Sequence, residues 1–477
     1  MDKKQVGMEN NPAMTVPAST RLRSNNSSTN TTENAETTSK PSNSSTSGQQ
    51  TQTKTQYASK YDTGWRRIVR NFSPSWFSVT MGTGVVSMIL HSIPWQASWL
   101  YHLSIVFFVL NVALFATAFI ISVLRYTIWP EIFIVMIHDP NNSLFLGTIP
   151  MGFATIINMW IAVCVPAWGT WAAYTAWGMW MLDSVVAVSV TVSLGVLLMS
   201  ESHQRSLDTI TAAQLLPIAA TIVSSSTGSQ VAAVLPNPQQ ALGTIIASYV
   251  MWGLSVPMAF TVMAIYFQRL ALHKLPAREV IVSAFLPLGP LGLGGYTILN
   301  LGRLARDVFP ITGTLDPAAG LFAYHLGFFI ALLMWSWGLL WFAFALAAIH
   351  QASPGLPFNN GWWGFTFPLG VYSISTITIG LELPSLFFRV LGTIFGTAVI
   401  LLWIVIAART AHGAWTGTLF VAPCLANLKA EHKVPPAGGA EEEKSEMSAT
   451  ARAAGDGVNR GTPPDLDLAP EESAVEP

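Results

Sequence analysis

Pro150-Met151-Gly152 opens a motif that returns as Pro217-Ile218-Ala219, Pro287-Leu288-Gly289 and Pro368-Leu369-Gly370. Each copy lies a few residues inside an apolar run, and the copies fall on alternate runs. The repeating unit is therefore predicted to be a pair of membrane-spanning helices. A proline inside such a helix removes one backbone hydrogen bond, and lipid cannot satisfy the freed carbonyl. We expect four kinked helices that stand around a common axis and line a transport path.

Composition independently indicates a membrane protein. Of 477 residues, 51% are hydrophobic and only 10% are charged, against about 25% charged in soluble domains. The formal net charge is -1, and no basic stripe interleaved with aromatic residues occurs, so nucleic acid is not expected as a partner. The two cysteines, Cys164 and Cys424, have no metal or disulfide spacing. Neither a metal site nor a cofactor is expected.

The apolar runs give the predicted number of helices. Crossing about 30 Å of hydrocarbon takes about 20 residues, and about ten runs of that size are present. A polar N-terminal tail (1–65) and an acidic C-terminal tail (413–477) are predicted to be disordered and to flank a ten-helix domain (66–412). The predicted spans are 75–93, 99–124, 146–168, 172–199, 213–235, 240–268, 280–302, 318–349, 361–381 and 384–410.

The distribution of lysine and arginine predicts the orientation. An even number of spans places both termini on one side of the membrane. The connections on that side hold most of the basic residues, among them Arg125, Arg205 and Arg278. Because cytosolic loops carry the Lys/Arg excess, both termini are predicted to be cytosolic in a multi-pass plasma-membrane protein.

Small or uncharged polar residues follow the prolines at a regular distance. Eight residues past each proline, about two turns on, stand Asn158, Ser225, Gly295 and Thr376. The first span, with Gly82 and Gly84, would complete a ring of five helices. This spacing predicts a pore lined by hydroxyl, amide and backbone groups, although such residues also permit close helix packing.

Two stretches resemble a known family. They are Asn-Phe-Ser-Pro-Ser-Trp-Phe-Ser-Val-Thr-Met-Gly-Thr-Gly (71–84) and Phe-Thr-Phe-Pro-Leu-Gly (365–370). Both are similar to the tellurite-resistance/dicarboxylate transporter family over about 70–412. The first stretch and the tails are most similar to the fungal sulfite efflux pumps. The second stretch is shared with malate permeases and plant slow anion channels.

This resemblance implies an architecture and a gate. The implied fold is an all-α membrane protein with ten transmembrane helices, arranged as five hairpins in a quasi-five-fold ring around a central anion pore. A homotrimer with one pore per subunit is implied, as is a phenylalanine on the ninth helix that plugs the pore. Its place in the motif is that of Phe367, with Phe365 as the rival. The alternative for either ring is ordinary packing against a neighbouring helix.

Several ionisable residues lie within or near the predicted spans. Asp183 and His325 are on even-numbered helices, so we favour inter-helix or intersubunit pairing over proton coupling for both. Glu382 and Arg389 are expected to form a pair at the outer rim. Arg303 at an outer mouth would either attract anions or anchor the helix at the interface.

The resemblance, together with the absence of a buried cationic clamp, implies efflux of sulfite or bisulfite through an anion pore, which would confer sulfite resistance. The alternative is a proton-linked malate or dicarboxylate permease, which would require a cationic clamp that the odd-numbered helices lack. The sequence contains no GxxxxGK[ST] phosphate loop, which makes an ATP-driven pump unexpected. Since HExxH, paired intramembrane aspartates and GxSxG are also missing, the chain is not expected to be an enzyme.

Overall fold

The computed structural model describes residues 64–198, 207–316, 318–422 and 425. These residues form helices, turns and short connections, and none of them forms a β-strand. Most of the two predicted tails, together with Cys424, lies outside the described ranges. Cys164 is buried.

Twelve α-helices follow one another along the described residues. Ten of them contain 16 residues or more, and each overlaps one of the predicted spans, with α9 displaced by eight to ten residues toward the C-terminus. Eight are long and apolar enough to cross a membrane by length and composition. The helices are α1 (Gly64–Arg70), α2 (Phe77–Ser92), α3 (Ser98–Ile128), α4 (Glu131–His138), α5 (Thr148–Trp168), α6 (Thr170–Leu198), α7 (Leu215–Val234), α8 (Pro238–His273), α9 (Leu288–Thr312), α10 (Ala319–Ala352), α11 (Thr366–Glu382) and α12 (Leu386–Trp415).

Neighbouring long helices pack as five consecutive pairs: α2 with α3, α5 with α6, α7 with α8, α9 with α10, and α11 with α12. The first members of these pairs, which we call the inner helices, also contact one another. Helix α2 contacts α5, α5 contacts α7, α7 contacts α9, α9 contacts α11, and α11 contacts α2 again. The inner helices therefore form a closed circuit of contacts, and the second members, the outer helices, pack around it.

Burial separates the two sets of helices. The apolar stretches of α9 and α11 are 89% buried, whereas those of α8 and α10 are 33% buried. The outer helices expose apolar side chains such as Leu182, Leu333 and Leu401. An exposed apolar surface of this extent suits hydrocarbon rather than water. Two inner helices are not among the eight: α2, which has 16 residues, and the serine-rich α7. Both belong to the inner circuit, away from the exposed apolar surface.

Each inner helix is preceded by a short 3-10 turn, and the prolines mark the transition into the α-helix. Pro150, Pro217 and Pro368 are the third residues of their helices. In α9 the third residue is Pro290, while Pro287 is the N-cap. Backbone N–H groups in the first turn have no intrahelical partner, so these prolines cost no hydrogen bond. The motif prolines therefore stand at the helix starts and give no reason for kinks within the spans.

The last residue of the motif lets inner helices approach one another. A Cβ on Gly292 would lie 2.8 Å from the Cα of Tyr372 in α11, and one on Gly370 would lie 2.7 Å from a methyl group of α2. Gly152 meets the Thr80 hydroxyl of α2 in the same way. The proline of the motif stands at the start of the helix, and the glycine allows close contact with another inner helix. The motif thereby contributes to the circuit of inner helices. In α9 the triplet in this position is Pro290-Leu291-Gly292, which directly follows the predicted triplet Pro287-Leu288-Gly289.

Candidate transport path between the inner helices

A small closed cavity lies where the five inner helices begin. Its volume is about 10 Å³, which is the lower limit for holding one water molecule. Every inner helix contributes to its wall, and every lining residue is apolar. We call this cavity the constriction. Its wall consists of Met81, Met151, Leu215, Leu216, Ala219, Ile222, Val223, Leu286, Gly289, Pro290, Leu293, Phe367 and Pro368.

The structure separates the two phenylalanines that the sequence singles out. Phe367, the second residue of α11, lines the constriction and is 4% exposed. Phe365 lies outside it and packs with its ring centroid 5.0 Å from that of Phe285 and 5.7 Å from that of Trp362. Phe367 is thus the aromatic ring within the constriction, whereas Phe365 occupies a separate apolar cluster.

A larger cavity, the vestibule, opens at the start of the inner helices and has a volume of about 610 Å³. Met81, Leu216 and Leu286 line both the vestibule and the constriction, so the two adjoin. Glu279 is the charged side chain among the described lining residues. The polar remainder is Ser73, Ser75, Ser78, Asn141, Asn142, Thr148, Thr209, Thr211, Ser283, Asn359, Asn360 and Thr418.

Helix polarity adds to this lining. The N-terminal ends of the inner helices face the vestibule, and each such end carries about half a positive elementary charge. Hydroxyl, amide and helix-end N–H groups are suitable partners for an anion that is losing water.

Beyond the constriction, a second level of residues follows from helix geometry. Seven residues after a given position, a helix has advanced about 10 Å and returned to within about 20° of the same direction. Applied to one lining residue from each inner helix, namely Met81, Met151, Ala219, Pro290 and Pro368, this rule points to one residue further along each helix. We call the set the outer ring: Met88, Asn158, Ser226, Thr297 and Ser375. All five are buried and none is charged.

Of the four predicted pore positions, only Asn158 belongs to the outer ring. Ser225 donates a hydrogen bond to a carbonyl of α8 at 2.6 Å, and Thr376 accepts one from an α10 tryptophan at 2.9 Å. A Cβ on Gly295 would lie 3.2 Å from a carbonyl of α10. These three residues pack against outer helices, which corrects the predicted pore lining. Eight residues turn the helix about 80° past two full turns. In addition, Pro150 and Pro217, the starting points for Asn158 and Ser225, do not line the constriction.

Gly82 and Gly84 are also placed at helix contacts. A Cβ on Gly82 would lie 2.5 Å from the ring of Trp363, and Gly84 abuts the side chains of Thr155 and Asn111. The packing alternative therefore describes both glycines in this structure. They allow α2 to approach the turn before α11 on one side and the α3 and α5 helices on the other.

The two ionisable residues that the sequence singles out on outer helices lie away from the central path. Asp183 of α6 is 1% exposed and lies beside the Ser224 hydroxyl of α7. His325 of α10 is exposed, with its ring centroid 5.3 Å from that of Tyr324. Neither residue lines the constriction or the vestibule. For Asp183 the contact is between helices of one subunit.

The far end of the path carries an ion pair that sequence reasoning missed. Arg303 of α9 pairs with Glu382 of α11, and the Tyr324 hydroxyl donates to the other oxygen of the same carboxylate. The expected partner, Arg389, instead donates to the Gly380 carbonyl at 3.1 Å, so the Glu382–Arg389 pair is wrong. Arg303 and Glu382 are 79 residues apart in the chain, and only the contact between α9 and α11 brings them together.

Comparison with known proteins gives a family match and several relatives. Residues 71–411 match the family described as Voltage-dependent anion channel (SLAC1). The sulfite efflux pump SSU1 of Arthroderma otae is 48% identical over 352 residues, which cover 74% of this chain and 93% of that protein. The sulfite efflux pump SSU1 of Candida albicans is 30% identical over 70% of this chain and 72% of its own length. The malic acid transport protein of Schizosaccharomyces pombe is 24% identical, with coverages of 71% and 77%.

Proposed function

The chain belongs to the voltage-dependent anion channel family, and from that premise we propose that it carries sulfite or bisulfite out of the cell through a central anion pore. The observation that carries the proposal is a path between the inner helices whose constriction and outer ring carry no charge. A polar vestibule leads to an apolar constriction and then to an uncharged outer ring. The similarity to proteins named as sulfite efflux pumps supports the choice of substrate.

We extend the proposal to architecture and location. The ten long helices cross the plasma membrane as five hairpins in quasi-five-fold order, with both termini in the cytosol and three subunits in the assembly. The closed circuit of inner-helix contacts and the apolar surface of the outer helices support this arrangement. The lysine and arginine asymmetry supports the orientation.

In this mechanism the vestibule receives the anion from the cytosol. Its hydroxyl and amide groups and the helix N-termini replace water around the ion. Fixed cations would hold an anion tightly, whereas neutral donors release it again. A cytosol-negative potential favours exit by about 2.3 kcal/mol per charge for each 100 mV. Efflux down this gradient requires no ATP.

The gate in this proposal is Phe367. Its ring lines a constriction that has room for about one water molecule, and a dry apolar constriction opposes the passage of ions. Movement of the ring would widen the path at the level where all five inner helices meet. Phe365, packed between Phe285 and Trp362, has no comparable position.

Proton-linked transport of malate or another dicarboxylate is the second candidate, because one relative is named as a malic acid transport protein. A dicarboxylate would be expected to require a cationic clamp within the path. The first arginine on an inner helix is Arg303, and it is paired with Glu382. The path therefore favours a small inorganic anion.

Flux measurements test the function directly. Full-length protein in liposomes, held at a fixed potential, should carry sulfite, with malate, chloride and nitrate compared in the same preparation. Cells that lack the protein should accumulate sulfite and become sensitive to it. Strong malate flux without sulfite flux would show the substrate assignment to be wrong.

A further inference from the structure

The outer ring contains buried polar atoms that have no hydrogen-bond partner. They are the Ser226 hydroxyl, the Ser375 hydroxyl and the Asn158 amide oxygen. The three residues are 1%, 1% and 6% exposed, respectively. Buried polar groups are nearly always paired, because leaving one unpaired is costly. Three such groups lie on three different inner helices, each seven residues after a residue that lines the constriction, and they indicate a place where a polar ligand completes the bonding.

Two neighbours of these groups face a different way and have partners, whereas Thr227, on the other side of Ser226, is also buried without a partner. Ser225 and Thr376 stand next to Ser226 and Ser375 in the chain, yet both have partners on outer helices. One residue corresponds to about 100° of helix rotation. The partnered hydroxyls therefore turn outward to the hairpin partner, while the unpartnered ones turn to the side that lines the constriction two turns earlier.

The inner helices bring no charged side chain to the outer ring. Helices α2, α5 and α7 contain no Lys, Arg, Asp or Glu, and on α9 and α11 the first such residues are Arg303 and Glu382. These two lie toward the helix ends, and each neutralises the other. A ligand at the outer ring thus meets hydroxyl and amide groups without a compensating cation.

We propose that the outer ring binds a singly charged oxyanion, so that bisulfite rather than the sulfite dianion is the transported species. The proposal rests on the function proposed above. The Ser226 and Ser375 hydroxyls donate to the anion oxygens. The Asn158 amide oxygen is an acceptor that needs a donor, which the proton of bisulfite supplies and the dianion lacks.

Desolvation acts in the same direction as this donor pattern. The cost of moving an ion out of water rises with the square of its charge, and for an unpaired ion in a low-dielectric site it is large. A doubly charged ion therefore loses about four times as much hydration energy as a singly charged ion of equal size. Neutral donors offset that loss for the single charge more readily than for the double one.

Reversal potentials measure the charge of the permeant species. Purified full-length protein is placed in a planar bilayer at equal pH on both sides, with sulfite as the only small anion and a tenfold gradient of it. A singly charged permeant ion gives a reversal potential of about 59 mV and a doubly charged ion about 30 mV. The larger value is expected, and the smaller one would overturn the selection of bisulfite.

Substitutions then test the site itself through the sulfite concentration that gives half-maximal current, which does not depend on the amount of folded protein. Ser226→Ala and Ser375→Ala should each raise this concentration at least fivefold. Ser226→Thr, which keeps the hydroxyl, should restore it. The matched control Ser225→Ala removes a hydroxyl one residue away and should leave it unchanged.

The outcomes separate the two proposals. Equal half-saturation in Ser226→Ala, Ser375→Ala and Ser225→Ala, with wild-type sulfite current intact, would remove the outer ring as a binding site and leave the proposed function standing. A wild-type protein that carries no sulfite current would instead refute the proposed function.

Discussion

Replacing Phe367 by alanine should open the path. Removal of the benzyl group leaves a void on the order of 100 Å³, comparable with engineered core cavities. Liquid water occupies about 30 Å³ per molecule, so the void would admit about three waters next to the constriction, which now has about 10 Å³. A wetted constriction no longer opposes the passage of ions, and conductance should rise several-fold.

The assay is single-channel conductance in a planar bilayer, with Phe365→Ala as the matched control. Both substitutions remove the same atoms from residues that are less than one-tenth exposed, so both should cost about 3–5 kcal/mol of stability. Only the change at Phe367 alters the wall of the constriction. Unchanged or lower conductance in Phe367→Ala, with normal subunit assembly, would refute the gate. A rise in Phe365→Ala alone would move the gate to that residue.

Three further predictions follow from the packing, the outer ion pair and the charge asymmetry. Gly292→Ala should lower the thermal unfolding midpoint in detergent, because its Cβ would lie 2.8 Å from the backbone of α11. Gly178→Ala is the control, since its Cβ would have no atom within 4 Å. Equal midpoints would contradict the close contact. Glu382→Gln should free Arg303 and increase sulfite current at low ionic strength, an effect that salt should screen; an increase that persists at 1 M salt would rule out this electrostatic cause. Tags on either terminus should become accessible to antibody only after the plasma membrane is permeabilised, and labelling of one terminus in intact cells would imply an odd number of spans.

The absence of fixed charge on the first turns of the inner helices has a functional consequence. In the proposed mechanism, an anion that crosses the constriction meets neutral donors on both sides of Phe367. Affinity is then modest and release is fast, which suits export more than accumulation. The charged groups of the path are at its ends, at Glu279 near the vestibule and at the Arg303–Glu382 pair.

Properties that depend only on the residues of one segment could be predicted from the sequence. The ten long helices overlap the ten apolar runs, because the length and hydropathy of a span are set by its own residues. The alternation of the proline motif identified α5, α7, α9 and α11 as one set. The family resemblance brought attention to the Phe367 position, although its place in a constriction could not be derived from spacing alone.

Properties that depend on direction required the tertiary structure. A shift of one residue turns a helical side chain by about 100°, so the steps that selected Ser225 and Thr376 missed Ser226 and Ser375 by a single position. The motif could be read in α9 from Pro287 or from Pro290, and only the contact of Gly292 with α11 decides between them. The pairing of Arg303 with Glu382 likewise depends on which helices meet. The sequence by itself determined which segments enter the membrane, because burial in lipid is a property of a segment; the tertiary structure decided which side of each segment meets the path, because that is a relation between segments.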